Sequence, residues 1–181
     1  MAQVWETAKG IPMQTLTAKD TGNITSVAFS HDGSIALTGY SDGVVRLWNV
    51  RSGQVVSSYD CGPGNVLSAA FSASLVPLVF AGCADGTVKI WDAKAQGFLR
   101  GAMASFVDGG WAVLAPGGRF DSDRFGIGPT LSWVSSAPEE ALQPLPIEAF
   151  ARDYYTPRAI AFGIFIGPEL TKTVAHSLRA Q

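Results

Sequence analysis

The side chains able to do covalent or metal chemistry in this 181-residue chain are few: two cysteines, Cys61 and Cys83, and two histidines, His31 and His176. A cysteine nucleophile needs a histidine general base within reach, each held in its own loop at the end of a strand. Cys61 opens a Cys-Gly-Pro-Gly turn, Cys83 precedes Ala84-Asp85-Gly86 and His31 begins a His-Asp-Gly turn, so none has the setting of a nucleophile or its base. The cysteines also lack the paired spacing of a zinc site. They fall at turns on the same side of neighbouring sequence units, which places them near one another, and reduced, semi-buried thiols are their expected state, with a redox pair as the alternative. Asp121 and Asp123, with Asp108 upstream, could offer carboxylate oxygens to a hard cation. Local hydrogen bonds to loop backbone are the stronger expectation for them. The glycine-rich turn Cys61–Gly64 lacks the lysine and helix start of a phosphate loop. This inventory predicts no catalytic residue, no metal and no cofactor.

The elements that hold these residues repeat. DGVVRLWN at 42–49 returns as DGTVKIWD at 85–92, and the end of the same string stands at 3–6 as QVWE, so Trp5, Trp48 and Trp91 are spaced by 43 residues each. An interval of that size marks a repeat architecture. Within each copy an Asp-Gly turn leads into a strand whose alternation puts Val45 and Leu47, or Val88 and Ile90, on one face. Upstream, ITSVAFS at 24–30 matches VLSAAFS at 66–72 as an inner strand. The turn after the second carries SLVP in place of the usual Asp-Gly, with one extra residue. Strands are further expected at 34–39 and 54–59, with QVWE as the third strand of a unit and 12–16 as its outer strand. The first two strands of that unit lie upstream in a longer protein or come from another segment.

This grammar resembles the WD40 family of β-propellers. The resemblance implies that Asp42, Gly43 and Trp48, with Asp85, Gly86 and Trp91 and the isolated Trp5, are the structural motif of the repeats. It also implies a hydrogen-bonded set that joins each turn aspartate, a loop histidine, a strand Ser or Thr and the tryptophan. The histidine is absent: Lys19-Asp20 and Asp60-Cys61 stand where Gly-His is usual, so the set is expected to be incomplete and the blades less stable than ideal ones.

Beyond Trp91 the chain reads as β-structure without the repeat, with strands expected at 104–107, 111–115, 119–121 and 131–134. A helix is expected from Pro146 to the residue before Pro157, with Ile147, Phe150, Ala151 and Tyr154 on one face, and another from about 169 to 179. Trp111, Trp133, Phe150, Tyr154 and Tyr155 are expected to pack together, one ring of the tyrosine pair facing in and the other out. The strings WAVLAPGGRFD, LSWV and LQPLPIEAFARDYYTPRAI, within 111–160, resemble a segment that follows WD40 repeats in bacterial caspase-like (peptidase C14 family) proteins. That resemblance implies a regulatory context without catalysis.

With 47% hydrophobic and 15% charged residues the composition suits a folded, turn-rich chain. The formal charge of −2 and the lack of a basic run give no sign of a nucleic-acid partner. The apolar stretch 159–168 is half a membrane span, and the N-terminus does not read as a secretory signal, so a cytoplasmic chain is expected. The expected fold is mainly β: a partial WD40 β-propeller of about two full blades plus a partial one, followed by a β-hairpin and one or two α-helices. Its expected divisions are a repeat region 1–102 (partial blade 1–19, repeats 20–60 and 61–102), a strand extension 103–135 and a helical segment 136–181. The expected function is a non-catalytic protein-interaction or scaffold module that binds protein partners or itself through exposed blade edges. Asp20, Asn23, Tyr40, Ser41, Asn65 and Ala84 are its candidate interaction loops. The alternative is the sensor portion of a caspase-like protease whose catalytic domain lies outside this chain.

Overall fold

The computed structural model describes residues 1–19, 22–73, 77–94, 98–107, 109–116, 119–123, 132–134, 144–146 and 151–155. Two compact units divide the chain, Met1–Ala102 and Met103–Gln181.

In the first unit, alternating short strands joined by Asp-Gly and Ser-Gly turns build antiparallel sheets. β1 (Ala2–Glu6) pairs with β2 (Ile11–Leu16) as a two-stranded sheet. β3 (Ile24–Phe29), β4 (Ile35–Tyr40), β5 (Val44–Asn49) and β6 (Val55–Asp60) follow in chain order as a four-stranded meander. β7 (Val66–Phe71), β8 (Leu78–Cys83), β9 (Thr87–Asp92) and β10 (Leu99–Ser105) repeat that order, β10 running across the division between the units. Even the irregularities repeat: the register shifts at Val4/Trp5 and again at Leu47/Trp48, and at Ile24/Ser26 and again at Val66/Ser68. A strand bulges where an extra residue increases the local twist, so equivalent sequence positions bend their sheets alike.

Each sheet buries side chains against the next. One cluster joins the first sheet to the second through Val4, Leu16, Ala36, Tyr40 and Trp48, with Ala18 and Ile24 at its margin. The other joins the second to the third through Leu37, Val45, Leu47, Tyr59, Cys61, Val66, Ala69, Val79, Ala81, Cys83 and Trp91. The expected shared face of Val45 and Leu47 is realised, both being at most 2% exposed. Val88 departs from it at 38% exposed, although Ile90 is fully buried.

In the second unit β11 (Trp111–Leu114) pairs with β12 (Phe120–Ser122), and β13 (Ser132–Val134) with β14 (Pro144–Pro146). The last of these corrects an expectation, because Pro146 ends a strand instead of starting a helix. Proline lacks the amide that a central strand must donate, yet a short edge strand tolerates it. The helix expected from Pro146 to the residue before Pro157 is not supported: the described residues hold only a single helical turn there, α1 (Ala151–Tyr154). The helix expected at 169–179 lies outside the described residues. Tyr155 meets Phe120 with ring centroids 5.7 Å apart, and Tyr154 is 37% exposed, so the pair divides as expected. Trp111 is 41% exposed, against the expectation that it packs. Among the described residues no helix is long and apolar enough to cross a membrane.

Gly43 shows how closely the repeats are fitted. Its φ of +84° lies in the left-handed region, and a Cβ there would collide with the carbonyl oxygen of Gly62 and stand 2.8 Å from that of Gly64. Gly86 has φ +83° but open space around its missing Cβ. Gly43→Ala is therefore expected to cost about 2 to 4 kcal/mol in urea unfolding, and Gly86→Ala about 1 kcal/mol, the backbone strain alone. Equal losses would show that the contact with the 62–64 turn contributes nothing.

Candidate interaction site

Asp42 caps its own turn: Oδ1 accepts the Val44 amide at 3.0 Å, and Oδ2 lies 3.3 Å from Arg46 Nη2. Asp85 does the same, accepting the Thr87 amide at 2.9 Å and the Thr87 hydroxyl at 2.6 Å, with Lys89 Nζ 3.7 Å away. The Thr87 hydroxyl foremost, then the Thr87 amide and Lys89, hold the Asp85 carboxyl below its ordinary 3.8 against the opposing effect of burial. Gly43 and Gly86 supply the left-handed turn residues beside them. Trp48 is 1% exposed, and its indole N–H donates to Thr38 Oγ1 at 2.7 Å. Trp91 is 3% exposed and stacks on Tyr59, centroids 5.4 Å apart, while the position equivalent to Thr38 is Ala81.

The incomplete hydrogen-bonded set thus takes a specific form. Tryptophan and threonine meet in the first repeat, and each aspartate bonds its own turn and a cation four residues on. Arg46 also lies over the Tyr40 ring, 4.6 Å from its centroid, and Lys89 Nζ donates to the Cys61 carbonyl. Sequence reasoning passed over both cations; their shared place in DGVVRLW and DGTVKIW was the signal available. It also passed over the ion pair of Arg100 with Asp92, whose side chains are 13% and 11% exposed, and the bond from the Tyr59 hydroxyl to the Asp92 carbonyl.

The candidate loops gather at one end of the strands. The Asn23 amide donates to Ser41 Oγ at 2.9 Å and its carbonyl accepts the Ser41 amide, and the Asn65 carbonyl accepts the Ala84 amide in the next repeat. Asn23, Asn65 and Ala84 are exposed and Ser41 is half-buried. Tyr40 corrects the expectation: it is 1% exposed, packed between sheets, because its side chain continues the inward alternation of β4. Asp20 lies outside the described residues. The cysteines are corrected too. Cys61 and Cys83 are near one another as expected, but they form a disulfide, with Cα atoms 5.5 Å apart and both residues at most 2% exposed. Asp123 Oδ1 accepts the Trp111 amide at 2.8 Å, a local backbone bond, and Asp108 lies outside the described residues. Among the described residues no group of three or more His, Cys, Asp or Glu could hold a metal ion.

The open face lies elsewhere. Val27 and Phe29 on β3 are 66% and 54% exposed, and Trp5 on β1 is 53% exposed. Their equivalents in the next repeat are covered: Ala69 and Phe71 pack into the core that β7 shares with β4 and β5, and Trp48 and Trp91 are buried. Cross-strand pairing puts Val27 beside Thr38 and Phe29 beside Ala36, on the face that receives the β1–β2 sheet. Among the described residues no further strand joins that sheet in the position from which β3 covers β7.

Removing the Thr38 hydroxyl strands a buried indole N–H, so Thr38→Val is expected to cost about 1 to 3 kcal/mol in chemical denaturation. The Asp85 carboxylate is favoured in the fold, so its contribution is whole above the unfolded value near 3.8 and is lost as pH falls through the lower folded one. In Asp85→Asn the acid limb of the stability profile should flatten below about pH 4.

Residues 10–49 and 53–92 each match the family described as WD40, WD domain, G-beta repeat. The chain is similar to the probable coatomer subunit beta' of Schizosaccharomyces pombe, 28% identical over 112 residues, which are 61% of this chain and 14% of that protein. It is similar to the small ribosomal subunit protein RACK1 of Medicago sativa, 35% identical over 87 residues, 48% of this chain and 26% of that protein. A periodic tryptophan protein 2 homolog of Dictyostelium discoideum is 35% identical over 71 residues, 39% of this chain and 8% of that protein. The chain therefore spans about a quarter or less of the length of these relatives. They are eukaryotic, and the family match stops at Asp92, so the second resemblance, to bacterial caspase-like proteins over 111–160, finds no support and is set aside. By sequence match, strand order and buried tryptophans, this chain carries two tandem WD40 repeats.

Proposed function

We propose that this chain is a non-catalytic protein-interaction module, and that its binding site is the free edge of β1 together with the uncovered face of β3. The observation that carries the proposal is the contrast between repeats: Val27 and Phe29 lie open where Ala69 and Phe71 lie against a preceding sheet. An unpaired strand edge beside apolar side chains is a template for another polypeptide. The partner this geometry fits supplies β-strands that extend the β1–β2 sheet and apolar side chains that cover Val27 and Phe29. A protein suits this face better than a nucleic acid, because the patch is apolar and the chain's formal charge is −2, and the unpaired β1 edge calls for a backbone partner that a membrane surface does not supply. The WD40 relatives support the reading as a class of repeat used in scaffolds.

Val27 and Phe29 are exposed, so Val27→Asp and Phe29→Asp should change stability by no more than about 0.5 kcal/mol. Each should weaken association at least about 10-fold, by analogy with a truncated contact at an interface centre. Light scattering of the purified chain, with and without a peptide carrying the inner two strands of a WD40 repeat, reads this directly. Unchanged association in both variants sinks the proposal, as does full solvent exchange of the β1 amides in the bound state.

A further inference from the structure

The first and second inter-sheet junctions are built from equivalent positions, and among their differences one pair changes the chemistry of the contact. Leu16 and Tyr59 are 43 residues apart and both buried, as are Trp48 and Trp91. By the same interval Ala18 corresponds to Cys61 and Tyr40 to Cys83. At the first junction Ala18 packs against the cluster that contains Tyr40, a van der Waals contact, while at the second the corresponding pair is a disulfide. The cation that follows each turn also changes its role. Arg46 lies over the Tyr40 ring, whereas Lys89, with no ring at position 83, donates to the Cys61 carbonyl.

We infer that Cys61–Cys83 is a redox-dependent lock between the two WD40 repeats, which makes the cohesion of the second junction conditional on oxidation where that of the first is not. The bridge ties the end of β6 to the end of β8 across a separation of 22 residues. Reduced, the junction loses its covalent tie, and it holds two small thiols where the equivalent junction holds a tyrosine ring. At this pair two thiols fill less space than an alanine and a tyrosine ring, so reduction leaves the junction without the covalent tie and without the ring contact its counterpart has there. The chemistry is thiol–disulfide exchange: a low-molecular-weight dithiol gives up two electrons and two protons, the S–S bond becomes two S–H groups, and the reductant leaves as its own disulfide. Burial of both sulfurs makes exchange in the folded state slow, so the lock sets during folding and opens when the 61–65 turn opens.

The test uses the full chain equilibrated in reduced or oxidised dithiothreitol, with thiol state read by alkylation and mass. Oxidised protein should carry no alkylated cysteine, reduced protein two, and the reduced form should melt roughly 10 °C lower. Amide exchange should quicken on reduction at β8 and stay unchanged at β2, which borders only the first junction. The double variant Cys61→Ala, Cys83→Tyr installs the first junction's pair, and its melting should not respond to the reductant. If the reduced wild type, with both thiols alkylated, melts and exchanges as the oxidised form does, the inference is overturned. It is overturned equally if both cysteines remain alkylatable after equilibration with the oxidised reagent.

Discussion

The structure depends on one contact made repeatedly: the tryptophan-bearing face of each sheet packs on the sheet before it. A twisted antiparallel sheet of four short strands has two faces and little independent stability, so it must bury one against a neighbour. Trp48 and Trp91 do this with almost no residual exposure, and Trp5, in the same place on the first sheet, is half exposed. The lone tryptophan and the open Val27 and Phe29 follow from the same rule. Stacked repeats are stabilised by their neighbours, and a face without one presents what a neighbour would cover.

Around that contact the two junctions use different means to the same end. The first relies on ring area: Tyr40 and Trp48 bury their side chains, Thr38 satisfies the indole, and Arg46 lies across the tyrosine. The second lacks the threonine and the tyrosine, and has the Tyr59–Trp91 stack, the lysine bond to Cys61 and the disulfide. In both, the turn aspartate is a local cap for its own strand and has no histidine to reach. The motif aspartates therefore hold turns together, and nothing about their geometry suggests acid or base chemistry.

Much of this architecture was legible beforehand because repetition is a sequence property. The strands from 2 to 92 fell where alternation and turn residues put them, since each is a short run between Gly-containing turns whose backbone demands are local. The region after 92 was less legible. Pro144–Pro146 reads as a helix start because proline is at home there, yet the same residues pair with Ser132–Val134, and that choice depends on a partner strand about a dozen residues away. Among the candidate loop residues Tyr40 turns inward, because alternation and the neighbouring sheet outweigh its place beside a turn.

By itself, then, the amino-acid sequence determined the repeat length, the strand order within each unit, the turn glycines and the tryptophans that face the preceding sheet. These follow from backbone sterics and a period-two pattern, which act over a few residues. Only the tertiary structure decided which apolar residues stay uncovered and which cations replace the absent histidines. It alone decided that Cys61 and Cys83 bond. Burial and disulfide geometry depend on residues brought together from different repeats, and a one-dimensional pattern shows which positions are equivalent without showing what stands opposite them.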